Sequence, residues 1–471
     1  MKPTHGIKRG RRRWRGWLPA AAAALGGALA GCGGGEPAGP APNVLLIVID
    51  TLRADHLGCY GYFRNTSPFL DGFAASNLVF EDAFCSIPIT LPSHSTILSG
   101  LYPQKTGVLR NWGTLPDSIV TLPEILRSRG YRTGAVVSTA VLKKGKNLEQ
   151  GFDDYLENWG ISEKVPRGEG AAWELKGLAE DADRMALEWI ERDRDRPFFL
   201  FINYYDVHGP YVEDERFART FDPDSPRFLE YLRGHYDRMP DLDWKRESIT
   251  FYDRSLRYLD RELETFFARL RELGVLENAL VVVTSDHGNG LFQHGDYWSH
   301  GEQLYDEHIH IPLLVKLPGK GRAGRIRGMV ETVDLLPSIL ELAGIDPPEG
   351  GDGTSFLPLL NGTGGKERVY AMSVLEDRLN RPRPREFAVR TRDAKLICRP
   401  GGESSFYRLD RDPLEMADVF ARAETDQRGF LTSLRNRGAA WYRPVLSAGD
   451  GGGGPDENTL RELKALGYIT P

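Results

Sequence analysis

Residues that can hold a metal ion or a proton follow short apolar runs in this 471-residue chain. Asp50 ends the run 44–49, and Asp286 and His287 follow the run 280–283. A buried carboxylate must be paired or bound to a cation, because an isolated buried charge is costly. Two carboxylates and an imidazole suit a divalent metal, and mixed oxygen and nitrogen ligation fits Zn or Mn better than Ca. For Asp50, capping of the following helix is the alternative.

Other polar residues flank similar apolar runs. They are Ser138 and Thr139 after 135–137, Asp206 and His208 after 198–202, and His300 before 311–317. Short continuous apolar runs are typical of strands buried on both faces of a parallel sheet. Ligands bind such sheets outside the carboxyl ends of the strands. We therefore expect residues that are far apart in sequence to converge on one pocket.

A hydroxyl group with a possible chemical role lies in the segment 89–100, Ile-Thr-Leu-Pro-Ser-His-Ser-Thr-Ile-Leu-Ser-Gly. Pro92 suits the first turn of a helix, which places Thr90 at the helix N-terminus, where unpaired N–H groups favour negative charge. A hydroxyl there, beside a metal, is placed for nucleophilic attack on an anionic ester. The alternative is that Thr90 is only an N-terminal cap.

The elements that would position these residues alternate along the chain. Helical periodicity at 118–129, 183–192, 253–273 and 333–342 alternates with the apolar runs. This alternation predicts an α/β fold with a large, mostly parallel sheet flanked by helices. Short alternating segments and Gly-rich turns beyond 347 predict a small C-terminal antiparallel subdomain that ends in a helix at 460–466.

The N-terminal region predicts export. Seven Lys and Arg precede an apolar stretch over 17–30 that is too short to cross a membrane comfortably, as in a secretory signal peptide over 1–31. Leu29-Ala30-Gly31-Cys32 is similar to the lipobox of bacterial lipoproteins, whose Cys is lipidated. A Gly/Pro-rich tether over 32–42 would then link a lipid anchor at Cys32, in the periplasm or cell envelope, to the fold. A plain signal peptide is the alternative.

The same boundaries predict a catalytic domain over 43–346 and a small subdomain over 347–471. The net charge is −6, and loss of the signal peptide makes it more negative, so binding to nucleic acid or to an anionic membrane by charge alone is not expected.

Besides Cys32 there are Cys59, Cys85 and Cys398, an odd number. Single buried thiols are expected, with a Cys59–Cys85 bridge as the alternative.

Several motifs together carry a resemblance. They are Asp50-Thr51-Leu52-Arg53, the segment 90–100, Asp206-x-His208-x-Pro210-Tyr211, Ser285-Asp286-His287-Gly288 and Leu463-Lys464-Ala465-Leu466-Gly467-Tyr468. In order and spacing the chain resembles the sulfatase family of the alkaline phosphatase superfamily from residue 43 almost to its end. The resemblance implies a large sheet between helices plus a small C-terminal sheet.

The resemblance also implies roles for individual residues. Asp50, Asp286, His287 and the side chain of Thr90 would hold one divalent ion, with Zn or Mn favoured and Ca or Mg open. His208 and His300 would contact the substrate anion or protonate the leaving oxygen, and His94 would help to set the nucleophile. Ser138 or Thr139 would line the pocket, although the family usually has a Lys there. Without the resemblance, His208 and His300 would be read as ordinary surface or core residues.

Departures from the family pattern concern the nucleophile first. Type I sulfatases have a Cys or Ser, oxidised to formylglycine, where this chain has Thr90, and an Arg where it has His94. Thr51 and His287 replace the usual second Asp and the Asn. Threonine cannot give the formylglycine aldehyde. These choices resemble the threonine-nucleophile branch of the superfamily, whose members cleave or transfer phosphate and phosphonate esters.

The sequence therefore predicts an exported, metal-dependent hydrolase of sulfate, phosphate or phosphonate esters, in small molecules or glycans, that uses Thr90 as nucleophile. One alternative is a phosphoryl-group transferase that modifies an envelope lipid or glycan. Another is a lipoprotein that keeps the fold as a non-catalytic binding module.

Overall fold

The protein is described from a computed structural model over residues 40–159, 176–212, 214–236, 243–295, 299–319, 321–366, 368–376, 382–399 and 403–447. The strands in these ranges are β1 Asn43–Ile49, β2 Leu78–Phe84, β3 Arg132–Val137, β4 Asp154–Glu157, β5 Phe198–Tyr204, β6 Ala279–Ser285, β7 His310–Lys316, β8 Gly324–Glu331, β9 Arg368–Glu376, β10 Pro382–Thr391, β11 Lys395–Cys398 and β12 Ser405–Tyr407. The helices are α1 Pro68–Ser76, α2 Thr90–Ser99, α3 Pro103–Thr106, α4 Leu122–Ser128, α5 Ala179–Arg192, α6 Pro226–His235, α7 Asp243–Glu272, α8 Asp306–Ile309, α9 Leu335–Leu342, α10 Leu357–Leu360, α11 Phe420–Asp426 and α12 Arg428–Ser447.

The large sheet has the strand order β4-β3-β5-β1-β6-β7-β2-β8. The five strands from β4 to β6 are parallel, β7 is antiparallel to both β6 and β2, and β8 is parallel to β2. A large, mostly parallel sheet is thus confirmed, but reading the run 311–317 as one more parallel strand was wrong. Because β7 runs antiparallel, its amino end lies at the edge where β6 has its carboxyl end. The segment before β7, which contains His300, therefore reaches the predicted pocket.

Both faces of the large sheet are buried, as the continuous apolar runs predicted. Along β1, Val44, Leu46 and Val48 belong to one apolar cluster, and Leu45, Ile47 and Ile49 belong to another. The first cluster includes residues of α2, α4 and α9, and the second includes residues of α1, α5 and α7. The alternation follows from the period of two along a strand. Each fully buried Leu or Ile contributes about 1.5–3 kcal/mol, so both layers hold the strand ends in place.

The predicted helices are present with shifted bounds. The pattern at 118–129 becomes α4, which begins after Thr121 with a capping box between Thr121 and Glu124. The pattern at 253–273 extends back to Asp243. The pattern at 333–342 becomes a 3-10 turn over Thr332–Asp334 followed by α9. Helix boundaries move because polar first turns carry little periodic signal.

The small C-terminal sheet is antiparallel, in the order β12-β11-β10-β9. Buried residues of α12, including Leu431 and Leu434, pack with Phe387 and Leu396 of this sheet. The predicted small antiparallel subdomain is confirmed, whereas its boundary at 346/347 stays a prediction. The predicted helix at 460–466, the signal peptide over 1–31 and most of the tether lie outside the described residues.

The three cysteines in the described residues, Cys59, Cys85 and Cys398, are free thiols. Cys85 and Cys398 are buried, and Cys59 is partly buried. The prediction of single thiols is confirmed, and a Cys59–Cys85 bridge is not formed.

Candidate active site

Asp50, Asp286 and His287 lie together at the carboxyl edge of the large sheet. Ile49 and Ser285 are register partners in the parallel pair β1 and β6, so the residues that follow them are neighbours. The three side chains are fully buried, and each offers a donor atom within 4.8 Å of the others. The strand register therefore brings together residues that are more than two hundred positions apart.

Backbone contacts orient two of these side chains. Oδ1 of Asp286 accepts hydrogen bonds from the backbone N–H of Thr51 (3.2 Å) and of His287 (2.8 Å). Nδ1 of His287 lies 2.8 Å from the carbonyl oxygen of Gly288, to which it donates. In the neutral ring, Nε2 then carries a lone pair, as a metal ligand requires.

The carboxylates are poorly satisfied by protein groups. Neither oxygen of Asp50 nor Oδ2 of Asp286 has a hydrogen-bond partner in the described residues. Burial, and then the charge of the nearby Asp286, raises the pKa of Asp50 well above its ordinary value. Burial also raises the pKa of Asp286, to about 8. Two adjacent buried acids with open oxygens fit a divalent cation, which would supply the missing positive charge.

Thr90 is the first residue of α2, and Ile89 occupies the N-cap position. Oγ1 of Thr90 lies 3.4 Å from Nε2 of His287, so the hydroxyl adjoins the cluster of candidate metal ligands. The start of the helix is fixed by the hydroxyl of Ser93, which donates to the carbonyl oxygen of Asp286 (2.7 Å). The backbone N–H of Leu91 donates to Oδ1 of Asn111 (2.9 Å). The hydroxyl of Thr90 is thus held at a helix N-terminus, where negative charge is stabilised.

His94 lies one turn after Thr90 on the same helix. Its Nδ1 donates to the carbonyl oxygen of Thr90 (2.8 Å), and its Nε2 lies 3.5 Å from Nδ2 of Asn203. Burial lowers the pKa of His94 to about 4. The ring is therefore neutral near pH 7, and it braces the helix turn that carries Thr90.

His208 and His300 face each other beside the same cluster. Their Nε2 atoms are 3.2 Å apart, and the ring centroid of His300 is 4.4 Å from that of His287. The ring of His208 stacks on Tyr205 with centroids 4.3 Å apart. Burial lowers the pKa of His300 to about 4 and that of His208 well below its ordinary value. Two imidazoles beside the candidate metal ligands can bind an anion or transfer a proton.

Comparison with known proteins assigns the family. The family model "Sulfatase" matches residues 42–345, and the model "N-sulphoglucosamine sulphohydrolase, C-terminal" matches residues 294–436. This chain belongs to the sulfatase family. The resemblance to the sulfatase family is confirmed, and the chain is a sulfatase-like ester hydrolase.

Named relatives span most of this sulfatase-family chain. The N-acetylglucosamine-6-O-sulfatase of Bacteroides thetaiotaomicron is 23% identical, with 81% of this chain and 83% of the relative covered. The phosphonate monoester hydrolase of Agrobacterium radiobacter superposes with a TM-score of 0.68 at 17% identity, over 84% of this chain and 96% of that one. A structure in complex with its substrate D-glucosamine-2-N,6-O-disulfate superposes with a TM-score of 0.67 at 19% identity, over 88% of this chain and 99% of that one. These superpositions show a shared fold.

Ser138 and Thr139, predicted to line the pocket of this sulfatase-family site, form contacts within the fold. Oγ of Ser138 accepts from Nδ2 of Asn158 (3.0 Å), and the hydroxyl of Thr139 accepts from the N–H of Val141 (3.3 Å). Thr139 also forms an isolated antiparallel bridge with Lys176. Their predicted role in substrate binding stays a prediction.

Lys176 is the residue that sequence reasoning missed. It comes from a different segment, which bridges to Thr139 just after β3, where the family usually has a Lys. The pKa of Lys176 is lowered by burial to about 8, and the charges of Asp206 and Asp50 oppose that change. A lone Lys in a segment without periodicity gives no signal, because only the pairing with Thr139 brings it to the site.

Thr51, at the position of the second metal Asp in sulfatases, has an unusual backbone. Its φ is 56°, in the left-handed region that a β-branched residue rarely adopts. The conformation is held by Tyr252, whose hydroxyl donates to the Thr51 carbonyl (3.0 Å) and accepts from the N–H of Arg53 (2.9 Å). This strained turn aims the N–H of Thr51 at Asp286 and so helps to fix that carboxylate.

Proposed function

We propose that this sulfatase-family hydrolase cleaves anionic phosphate and phosphonate esters, with sulfate esters as further substrates, and that Thr90 is the nucleophile. The observation that carries the proposal is the place of the Thr90 hydroxyl at the start of α2, 3.4 Å from Nε2 of His287 and beside Asp50 and Asp286. Threonine cannot be oxidised to the formylglycine aldehyde, so a direct attack by the hydroxyl is the chemistry that this residue permits.

One divalent ion, for which Zn or Mn is the proposed identity, would be held by Asp50, Asp286, His287 and the hydroxyl of Thr90. Members of this family generally depend on a divalent metal, and the open carboxylate oxygens fit one. When bound, such an ion lowers the pKa of a neighbouring hydroxyl and offsets negative charge on an ester oxygen.

In the first step, Oγ1 of Thr90, which has released its proton to solvent, attacks the phosphorus or sulfur atom. A bond forms between Oγ1 and that atom, and the bond from that atom to the leaving oxygen breaks. The leaving oxygen takes a proton from the pair formed by His208 and His300, whose Nε2 atoms lie 3.2 Å apart. The N-terminal position of Thr90 on α2 stabilises the negative charge of the covalent ester.

In the second step, water resolves the Thr90 ester. A water oxygen bonds to the phosphorus or sulfur atom, and the bond from that atom to Oγ1 breaks. The histidine pair takes a proton from the water and is ready for another cycle, while Oγ1 regains a proton from solvent. His94 holds the carbonyl of Thr90 throughout and keeps the turn in place.

The test compares p-nitrophenyl phosphate, phenylphosphonate and sulfate esters with wild type, Thr90→Ala and Thr90→Ser, each loaded with Zn or Mn. We expect Thr90→Ala to lose at least a thousandfold in kcat while it still binds metal, and Thr90→Ser to keep a measurable fraction. Mass spectrometry of acid-quenched protein should find the ester on Thr90. If Thr90→Ala keeps most of its turnover, water attacks directly and the nucleophile proposal is wrong.

Hydrolysis and group transfer are separated by the products. The family assignment favours the enzyme over a non-catalytic binding module. Turnover in the presence of glycerol should release mainly the free acid if water resolves the ester. A dominant glycerol ester would instead support the phosphoryl transferase that modifies an envelope lipid or glycan.

We also propose that the chain is exported and anchored to the periplasmic or envelope face of a membrane by a lipid at Cys32, on the strength of the sequence motif alone. Among the described helices, none is long and apolar enough to cross a membrane. Radiolabelled palmitate should label the wild-type protein but not Cys32→Ala, and the variant should become soluble on fractionation. Equal labelling of both proteins would contradict the lipid anchor.

A further inference from the structure

Lys176 is a buried cation that the proposed mechanism does not use. Its side chain is 1% exposed. The backbone around it is firmly held, because Gly177 donates its N–H to the carbonyl of Ser138 (2.9 Å) and Nδ2 of Asn158 donates to the carbonyl of Leu178 (3.0 Å). A Cβ at Gly177 would lie 1.6 Å from the carbonyl oxygen of Asn158, so only glycine permits this approach. The segment thus carries Lys176 to one fixed position.

The ammonium group of Lys176 binds the turn that carries His208. Nζ lies 3.2 Å from the carbonyl oxygen of Asp206, 2.8 Å from that of His208 and 2.8 Å from that of Pro210. A lysine ammonium has three N–H donors, and these three carbonyls match that number. The ammonium group thus contacts the backbone of a single turn.

His208 depends on the shape of this turn. Its Nδ1 donates to the carbonyl of Gly209 (2.6 Å), and its ring stacks on Tyr205, so the peptide planes of the turn set where Nε2 points. Removing the ammonium would leave these carbonyls without their charged donor, which is costly for buried groups. Rotation of those peptides toward water would relieve that cost and would move the imidazole away from His300.

We propose that Lys176 is a positioning residue, which holds the 206–210 turn by its three carbonyls so that Nε2 of His208 meets the substrate beside His300. The inference rests on the proposed function in so far as His208 acts on the substrate. Lys176 acts through His208, because its three N–H donors are directed at the carbonyls of the turn that carries the ring.

A double-mutant cycle tests this role. Lys176→Met, His208→Ala and the double variant are compared for kcat and KM on an alkyl ester and a p-nitrophenyl ester. We expect Lys176→Met to lower kcat for the alkyl ester at least tenfold, with a smaller loss for the p-nitrophenyl ester. In the His208→Ala background the same substitution should cost less than twofold, because the ring that it positions is gone.

Lys316 supplies a matched control. Its Nζ also donates to two backbone carbonyls, those of Ala279 (3.1 Å) and Leu317 (3.2 Å), but it lies near the amino end of β6, away from the site. Lys316→Met should leave kcat and its leaving-group dependence unchanged. If Lys176→Met does not fold, the cycle uses Lys176→Gln, whose amide keeps two donors.

The outcomes separate this inference from the proposed function. Equal losses from Lys176→Met with and without His208, or an equal loss from Lys316→Met, would overturn the positioning role. Activity that survives in Thr90→Ala would refute the assignment of Thr90 as nucleophile. The coupling of Lys176 to His208 could still be measured in that case. If wild type turns over none of the esters, the same double-mutant cycle is measured as the affinity for orthovanadate. Additive effects of the two substitutions on that affinity would overturn the inference.

Discussion

Nε2 of His208 lies 3.2 Å from Nε2 of His300, while the Nδ1 atoms of both rings face backbone carbonyls, those of Gly209 and Pro88. Because each Nδ1 donates to its carbonyl, two neutral rings would turn lone pairs toward each other. A proton between the two Nε2 atoms removes that repulsion. Burial lowers the pKa of both rings, so the pair holds this proton only while an anionic ester beside it stabilises the positive charge, and then yields it readily to a leaving oxygen.

His300→Ala should therefore make the rate depend on the leaving group. Loss of the proton donor should cost about 10²–10⁴-fold in kcat/KM for alkyl esters, whose leaving oxygen needs a proton. The loss should be much smaller for p-nitrophenyl esters, since p-nitrophenolate leaves without one. The measurement is kcat/KM for a series of leaving groups, with His235→Ala on α6 as a control that should match wild type. Equal losses across the series would mean that His300 binds the anion and donates no proton.

Asp50→Asn should change stability in opposite directions with and without metal. Without metal, burial and the charge of Asp286 raise the pKa of Asp50 and disfavour its charged form. A neutral Asn removes that cost, so the Tm in EDTA should rise. With Zn or Mn in hundredfold excess over Kd, wild type gains about 2.7 kcal/mol. The variant should gain much less, because it lacks one ligand charge. Thermal unfolding with and without metal measures both changes.

Asp260→Asn is the control for this sign reversal. The Asp260 carboxylate is also buried, but it accepts the N–H groups of Phe69 and Leu70 (2.9 Å each) at the start of α1. Asp260→Asn should lower Tm both in EDTA and with metal, and it should leave the metal-induced rise in Tm intact. A fall in Tm for Asp50→Asn in EDTA would show that Asp50 stabilises the metal-free fold, contrary to our reading.

Gly288→Ala should disturb the metal cluster through the backbone. A Cβ at Gly288 would lie 2.0 Å from the carbonyl oxygen of Glu307, so the chain before β7 must move. We expect a loss of about 1–3 kcal/mol in unfolding free energy. Metal affinity should also fall, because His287 is the preceding residue. Urea unfolding and metal titration are the measurements.

Gly234→Ala on α6 is the matched control, since among the described residues no atom outside the neighbouring helix backbone lies within 4 Å of a Cβ there. It should leave metal affinity unchanged and raise the helix stability by up to about 1 kcal/mol. If both glycine variants bind metal like wild type, close packing at Gly288 does not position His287.

The site shows which parts of a fold a sequence can predict. Asp50 and Asp286 follow apolar runs whose length and burial identify parallel strands, so their meeting at one edge was predictable. The antiparallel direction of β7 was not predictable, because a buried apolar run has the same sequence pattern in a parallel and in an antiparallel strand. Lys176 could not be predicted either, since it reaches the site through a single bridge to Thr139 and through backbone carbonyls, which have no side-chain signature.

A network of buried charges joins the segment before β7 to the small sheet, and it predicts acid sensitivity. The carboxylate of Asp306 lies 3.0 Å from Nη2 of Arg390 and 2.7 Å from Nζ of Lys395. Burial alone would raise the pKa of Asp306, but these two cations outweigh it and hold that pKa well below its ordinary value. The folded protein therefore binds this proton more weakly than the unfolded chain. Asp306 stabilises the fold above about pH 4, and this contribution is lost as the pH falls further.

Asp306→Asn should accordingly lower Tm at pH 7 and flatten the decline of Tm below about pH 4. The comparison needs an exposed ion pair as control, and Asp410, whose carboxylate pairs with Arg408 at the surface (2.9 Å), supplies one. Asp410→Asn should shift Tm little at any pH, because water screens exposed charges. The measurement is Tm against pH from 3 to 8 for the three proteins. Parallel curves for wild type and Asp306→Asn would show that other carboxylates set the acid limit. A decline that flattens only in Asp306→Asn would show that this buried network holds the segment with His300 against the small sheet.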